Sequence, residues 1–195
     1  MGNLVEALLQ LSKLDRAQLY REFVDVSLLA RAIAGELEQS EPKRQVDFLI
    51  EDGLVTEADR HLTRAVLDNL MGNAWKFTCK EPHGRIEVGT SPKQAIRTYF
   101  VRDNGAGFDL AHADKLFAPF QRMHKEADFP GTGIGLATVR RIVERHGGRV
   151  WAESKVGQGA TFWFTLCSAS TGVQEKGADP AQQTSNDMSA SSRGK

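Results

Sequence analysis

An α+β fold, with a mixed β-sheet covered on one face by helices, is predicted for this chain by three observations. Short segments that alternate apolar and polar residues recur along it, as strands of a half-buried sheet do. Between them lie segments with apolar residues every three or four positions, the helical period. The stretch GTGIGLATVRRIVERHGG, Gly131 to Gly148, sets glycines at every second position before an amphipathic run. Glycines in that place let a backbone close on phosphate at a helix N-terminus. Elements that each bury one face stack as two layers, which gives the sandwich.

Taken in order, Met1, Leu4, Leu8 and Leu11 mark residues 1–20 as a helix with a coiled-coil-like seam. It serves either dimerisation or packing on its own domain. REFVDV reads as a short strand, and Ser27 as the N-cap of the helix LLARAIAGELEQ. QVDFLI alternates Val46, Phe48 and Ile50 like a strand. From Ala58 to Phe77 the helical period returns, with Leu62, Val66, Leu70 and Ala74 on one stripe. GRIEVGT and AIRTYFVRD follow as strands joined by a turn at Ser91 and Pro92, and DLAHADKLF as a short helix. Residues 121–130 form a polar loop, and the glycine-led segment a helix. GRVWAES and GATFWFTLC close the core as a hairpin turning at Lys155–Gln158. Residues 21–167 thus make one domain. The tail 168–195 holds no aromatic, Leu or Ile, cannot bury a core, and is expected to be disordered.

Composition narrows the function classes. Hydrophobic content of 41% and charged content of 26% are those of a soluble globular protein. A formal net charge of +0 leaves no footprint for nucleic acid or an anionic membrane. Cys79 and Cys167 offer no disulfide framework, which fits a reducing, cytoplasmic setting. No apolar run approaches the roughly 20 residues of a membrane span, and no signal peptide is recognisable.

Two common phosphate motifs fail on context. A dinucleotide-binding fingerprint needs a strand before its first glycine, and here HKEADFP is charged and ends in proline. A P-loop needs Gly-Lys-Ser/Thr, which is absent. Elsewhere, Asn69, Asn73 and Lys76 follow at i, i+4 and i+7, hence on one helix face. An amide oxygen is a hard neutral ligand suited to Mg²⁺, and a lysine one turn on can reach the same phosphates. Taken alone, the three residues also fit a solvated face. Asp103 ends a strand in VRDNGAGF, where Gly105 and Gly107 permit a tight turn close to a ligand. A carboxylate there can accept the N6 proton of adenine, which guanine does not offer.

The order of these parts decides between the readings. Asn69-x3-Asn73-x2-Lys76 precedes Asp103-x-Gly105-x-Gly107, then Phe117-x2-Phe120, then Gly131-x-Gly133-x-Gly135, then Gly157-x-Gly159. Residues 21–167 therefore resemble the ATP-binding catalytic domain of sensor histidine kinases, with its N, G1, F, G2 and G3 boxes. The resemblance implies the Bergerat-type ATP-binding sandwich of the gyrase/histidine-kinase superfamily, with ATP and Mg²⁺ as cofactors. It also implies roles. Asn73 holds Mg²⁺, Asn69 supports the triphosphate, Lys76 binds phosphate and Phe77 flanks the base. Asp103 holds adenine N6, with Thr161 helping through water. Gly131, Thr132, Gly133, Ile134, Gly135 and Leu136 place backbone at the phosphates. Residues 121–132 form an ATP lid anchored by Phe117 and Phe120, with Arg122 either on the γ-phosphate or in solvent.

Hydrolases of this superfamily resemble the pattern with a glutamate four residues before the metal-binding Asn. Here that position is Asn69, and an amide is no general base near neutral pH. Transfer to a protein side chain is favoured over hydrolysis. A histidine kinase phosphorylates a histidine in His-Glu/Asp-Leu-Arg-x-Pro, and none of His61, His83, His112, His124 and His146 has that context. His146 sits at a helix end, where a structural role suits it. MGNLVEALLQLSKL resembles the second helix of the dimerisation hairpin, so the phosphoacceptor is expected upstream of Met1. The style resembles light- and redox-responsive kinases of the phytochrome type. Implied partners are the phosphoacceptor hairpin of the parent kinase, a response-regulator receiver domain, and a second subunit in a full-length homodimer. A non-catalytic nucleotide-binding module and an anti-sigma-factor-type serine kinase are the alternatives.

Overall fold

The computed structural model describes residues 18–92, 96–109, 115–121, 129 and 131–166. The elements run β1 (Arg21–Asp25), α1 (Val26–Ser40), β2 (Val46–Ile50), β3 (Val55–Asp59) and α2 (Arg60–Phe77). They continue through β4 (Gly84–Ser91), β5 (Thr98–Asp103), α3 (Gly135–Arg145), β6 (Val150–Ser154) and β7 (Ala160–Thr165). The expected helix in residues 1–20 falls almost wholly outside the described residues, as do the tail, Arg122 and most of the 121–132 loop. DLAHADKLF is described only at Asp109 and at residues 115–117, so the short helix expected there lies largely outside the described residues.

A five-stranded sheet in the order β2-β4-β5-β7-β6 is mixed: β2 pairs parallel with β4, and the other pairs are antiparallel. Period-two alternation sends Ile86, Val88, Tyr99, Val101, Phe162 and Phe164 into the core, all buried. Across the helix layer, α2 packs on both α1 and α3 and on β5. Its stripe of Val66, Leu67, Leu70 and Met71 is fully buried, each side chain contributing about 1.5–3 kcal/mol. α2 is thus the central beam of the layer.

Two local readings of the sequence are corrected. The helical period read from Ala58 begins too early, since Ala58 and Asp59 end β3, and Val55–Asp59 pairs antiparallel with β1 as a separate two-stranded sheet. The N-cap of α1 is Asp25, whose carboxylate accepts the Leu28 N–H at 2.8 Å. Ser27 instead lies buried inside the first turn. Its hydroxyl donates to the Glu51 carbonyl at 2.7 Å and accepts the Leu54 N–H at 3.0 Å, pinning α1 to the β2–β3 turn.

Both ends of α2 are fixed. At its start the Asp59 side chain caps Leu62 N–H, while the Asp59 N–H donates to His146 Nε2 at 3.1 Å. That bond puts the imidazole proton on Nδ1, which donates to the Ile142 carbonyl at 2.8 Å. His146 is 1% exposed, and burial holds its pKa below the ordinary value. At the other end Arg44 donates to the Trp75 carbonyl and, at 2.8 Å, to Thr78 Oγ1. Its guanidinium also lies 4.1 Å from the centre of the Trp75 ring. Trp75 in turn stacks on Phe48 of β2 and donates to Glu41. The helix bearing the predicted site residues is therefore held in a fixed axial position.

Candidate functional site

The last three turns of α2 face the first turn of α3 across a cavity of about 240 Å³. Asn69, Asn73, Lys76 and Phe77 line it from α2. Gly131, Thr132, Gly133, Gly135 and Leu136 line it from the opposite side. Asn69 donates its amide N–H to the Ala65 carbonyl at 2.7 Å, which turns Oδ1 toward α3. A Cβ on Gly135 would lie 2.5 Å from that oxygen, so any side chain at position 135 would displace Asn69. Lys76 Nζ stands 4.3 Å from the centre of the Phe77 ring and 3.3 Å from where a Cβ on Gly131 would be. Its ammonium is poised between the aromatic wall and the glycine segment.

α3 begins without a side-chain cap: Ile134 is its N-cap residue and makes no such bond. Uncapped N–H groups and the positive end of the helix dipole at a cavity bearing a lysine form an anion site. Residues that precede it hold this start in place. Gly133 lies in the left-handed region at φ 74°, and its carbonyl accepts the Phe120 N–H at 2.9 Å. Phe120 is itself left-handed at φ 62° and 43% exposed, a conformation that costs a non-glycine residue on the order of 1 kcal/mol. Phe117 packs half-buried on the core. Phe120 thus braces the glycine segment while Phe117 packs on the core, and neither lines the cavity.

Asp103 ends β5 at 5% exposure, and burial pushes its pKa up to about 6. The N–H groups of Gly105, at 2.9 Å, and of Ala160 pull it partly back. The turn after it rests on the end of α2: Ala106 N–H donates to the Phe77 carbonyl at 3.1 Å. A side chain on Gly105 would strike that carbonyl, and one on Gly107 the Lys155 carbonyl. This accounts for glycine at both positions. Asp103, Gly105, Gly107 and Ile134 lie outside the cavity lining and beside it in sequence or contact.

Thr161 is a correction. It pairs with Arg102, whereas Asp103 pairs with Ala160, so the two side chains leave opposite faces of the sheet. Its hydroxyl accepts from Arg102 Nε at 3.1 Å on the outer face. It cannot share a water with Asp103. The residues missed in the sequence are apolar: Phe108, Leu116, Phe129 and Phe162, with Gln121, complete the lining. Among the described residues no cluster of three or more His, Cys, Asp or Glu side chains could hold a metal. A metal here needs oxygen ligands from elsewhere, which is the usual condition of Mg²⁺ on a phosphate substrate.

A helix face of amides and lysine opposite a glycine-led helix start also matches a known family at the level of sequence. Residues 58–170 match the model described as histidine kinase-, DNA gyrase B-, and HSP90-like ATPase. The chain belongs to this ATPase family. Within it, the chain is homologous to the catalytic domains of sensor kinases. It is 31% identical over 188 residues to cyanobacterial phytochrome A of Nostoc sp., covering 96% of this chain and 24% of that protein. It is 34% identical over 173 residues to the sensor protein kinase WalK of Staphylococcus aureus, covering 85% of this chain and 41% of that protein. The full-length ShkA structure, in complex with AMPPNP, superposes with a TM-score of 0.68 at 26% identity, covering 86% of this chain and 36% of that one. The chain spans about a quarter of the phytochrome relative's length. Among the described residues no helix is long and apolar enough to cross a membrane.

Proposed function

We propose that this chain is the catalytic part of a two-component sensor histidine kinase, transferring the γ-phosphoryl group of Mg-ATP to a histidine located outside it. The observation that carries the reading is the convergence of Asn69, Asn73 and Lys76 with the uncapped start of α3 on one cavity.

The residues divide the work by chemistry. The apolar wall of Phe77 and its neighbours takes the planar base, and the Asp103 carboxylate accepts adenine N6. The N–H groups at the start of α3 and the Lys76 ammonium hold the phosphates. Asn73 Oδ1 would hold Mg²⁺ from the cavity wall, and the metal would supply charge neutralisation at the phosphate oxygens. Asn69 completes the polar wall and supplies no base, so water in the cavity is not activated. An incoming imidazole nitrogen forms the N–P bond while the bond to the β-phosphate oxygen breaks, leaving ADP. The contribution of the chain is positioning and charge neutralisation.

The partners follow from this chemistry. They are a histidine-bearing hairpin of the parent kinase, a receiver domain whose aspartate takes the group onward, and a second subunit in the full-length dimer. The setting is cytoplasmic, without nucleic acid or direct membrane contact in this segment. Calorimetry tests the binding step: ATP and ADP are expected to bind with Mg²⁺ and GTP far more weakly. Equal binding of ATP and GTP contradicts the assignment.

A further inference from the structure

We propose that Phe129 and Lys80, which lie in none of the five motifs, extend the nucleotide site: Phe129 as a ring against which the adenine packs, and Lys80 as the positioning residue that holds that ring. The inference rests on the ATP reading given above.

The cavity is chemically two-sided. One part is polar, made by Asn69, Asn73, Lys76 and the backbone of the glycine segment. The other is apolar and mostly aromatic, made by Phe77, Phe108, Leu116, Phe129 and Phe162. ATP has the same asymmetry, so its phosphates fit the first part and its flat base the second. Phe129 is 5% exposed and meets Phe77 edge-on, with centroids 5.0 Å apart and an interplanar angle of 62°. Two rings at a steep angle form a corner, which a planar base can enter with its face on one ring and its edge on the other. Phe108 and Phe162 form a second, tilted pair at 6.0 Å in the same cavity.

Lys80 adds the second part. It follows α2 by one turn from Lys76, and its Nζ lies 5.0 Å from the centre of the Phe129 ring. Lys76 stands over Phe77 in the same way at 4.3 Å. Two lysines four residues apart thus each attend one ring of the corner. They differ in reach, because Lys76 lines the cavity and Lys80 does not. Lys80 therefore acts on the nucleotide only through Phe129.

The test is calorimetric titration of adenosine, ADP and Mg-ATP into the full chain and its variants. Phe129→Leu keeps apolar bulk and removes the ring, which guards against an unfolded Phe129→Ala. It is expected to weaken all three ligands by the same factor, about tenfold, because the base is common to them. Phe129→Tyr is expected to restore affinity to within about threefold. Lys80→Ala should weaken binding about threefold and Lys80→Arg should rescue it. Unchanged adenosine affinity in Phe129→Leu overturns the proposal. So does a loss larger for ATP than for adenosine, which places the ring at the phosphates, or a gain in affinity, which makes the ring a competitor of the base. Failure of Lys80→Arg to rescue removes the role of Lys80. If the unaltered chain binds no adenine ligand, the ATP reading falls together with this one; if it binds and Phe129→Leu is neutral, this one falls alone.

Discussion

Asp103 is a carboxyl held near neutrality by its surroundings, and this gives the adenine step a pH signature. Burial raises its pKa to about 6, so the charge needed for the strongest N6 contact disappears as pH falls through that value. A charge-assisted hydrogen bond is worth roughly 1.5–3 kcal/mol. Adenosine, which has no phosphate to titrate, should therefore bind about tenfold more weakly at pH 5 than at pH 7.5. Asp103→Asn should bind weakly at both. The stability effect has the opposite sense. The folded chain keeps this proton to higher pH than the unfolded one, so the associated stability is full below about 4 and is lost as pH rises through about 6. Asn73→Ala should weaken Mg-dependent ATP binding more than metal-free binding, because it removes a metal ligand and leaves the base pocket intact. Equal losses with and without Mg²⁺, measured by calorimetry, would show that Asn73 only supports the helix. The α2 residues were legible in the sequence because a 3.6-residue period puts i, i+4 and i+7 on one face. Thr161 was misplaced although its sequence carried the signal. In ATFWFT, Phe162 and Phe164 face the core, which sends Thr161 outward with Trp163. The apolar wall was hidden for a different reason: a phenylalanine that lines a cavity and one that fills a core look alike in sequence.

Among the elements, α2 carries the functional residues, and its two ends are held by residues far away in the chain. His146, from the end of α3, accepts the N–H of Asp59 at the start of α2. Removing the imidazole leaves that buried donor unpaired, so His146→Ala should cost about 1–3 kcal/mol in urea unfolding. The pH dependence is also signed. Burial depresses the histidine's pKa, so the unfolded chain takes up the proton first, and this stabilisation is present above about 6.5 and lost as pH falls. The variant should lose that part of the acid sensitivity, and an unchanged pH profile would mean that the contact is not maintained in solution. Arg44 does the corresponding work at the C-terminal end, where it binds the Trp75 carbonyl and Thr78. Helices α2 and α3 and most strands were readable from periodicity. β3 was not, since VTEAD lacks an apolar alternation and runs straight into a helix. Its strand form depends on pairing with β1, and a pairing partner thirty or more residues away leaves no local trace. Asp25, the last residue of β1, keeps extended dihedrals and caps α1, so the helix starts before Ser27.

At the scale of the whole molecule, the sheet serves as a support, and the cavity opens where α2, α3 and the glycine segment meet. The mixed topology was readable only as a fold class; the order β2-β4-β5-β7-β6 depends on contacts between distant segments. The central claim is that this assembly donates a phosphoryl group and does not itself receive one. Its five histidines lack an acceptor context, and Asn69 offers water no base. The most direct measurement is incubation of the chain with γ-labelled ATP and Mg²⁺, alone and with a polypeptide containing the complete hairpin of the parent kinase. The chain alone should bind nucleotide, hydrolyse it slowly and remain unlabelled, and the added hairpin should become labelled on its histidine. Stoichiometric acid-labile phosphate on the isolated chain, lost on mutating one of its five histidines, would contradict the account, as would a matched hairpin that stays unlabelled.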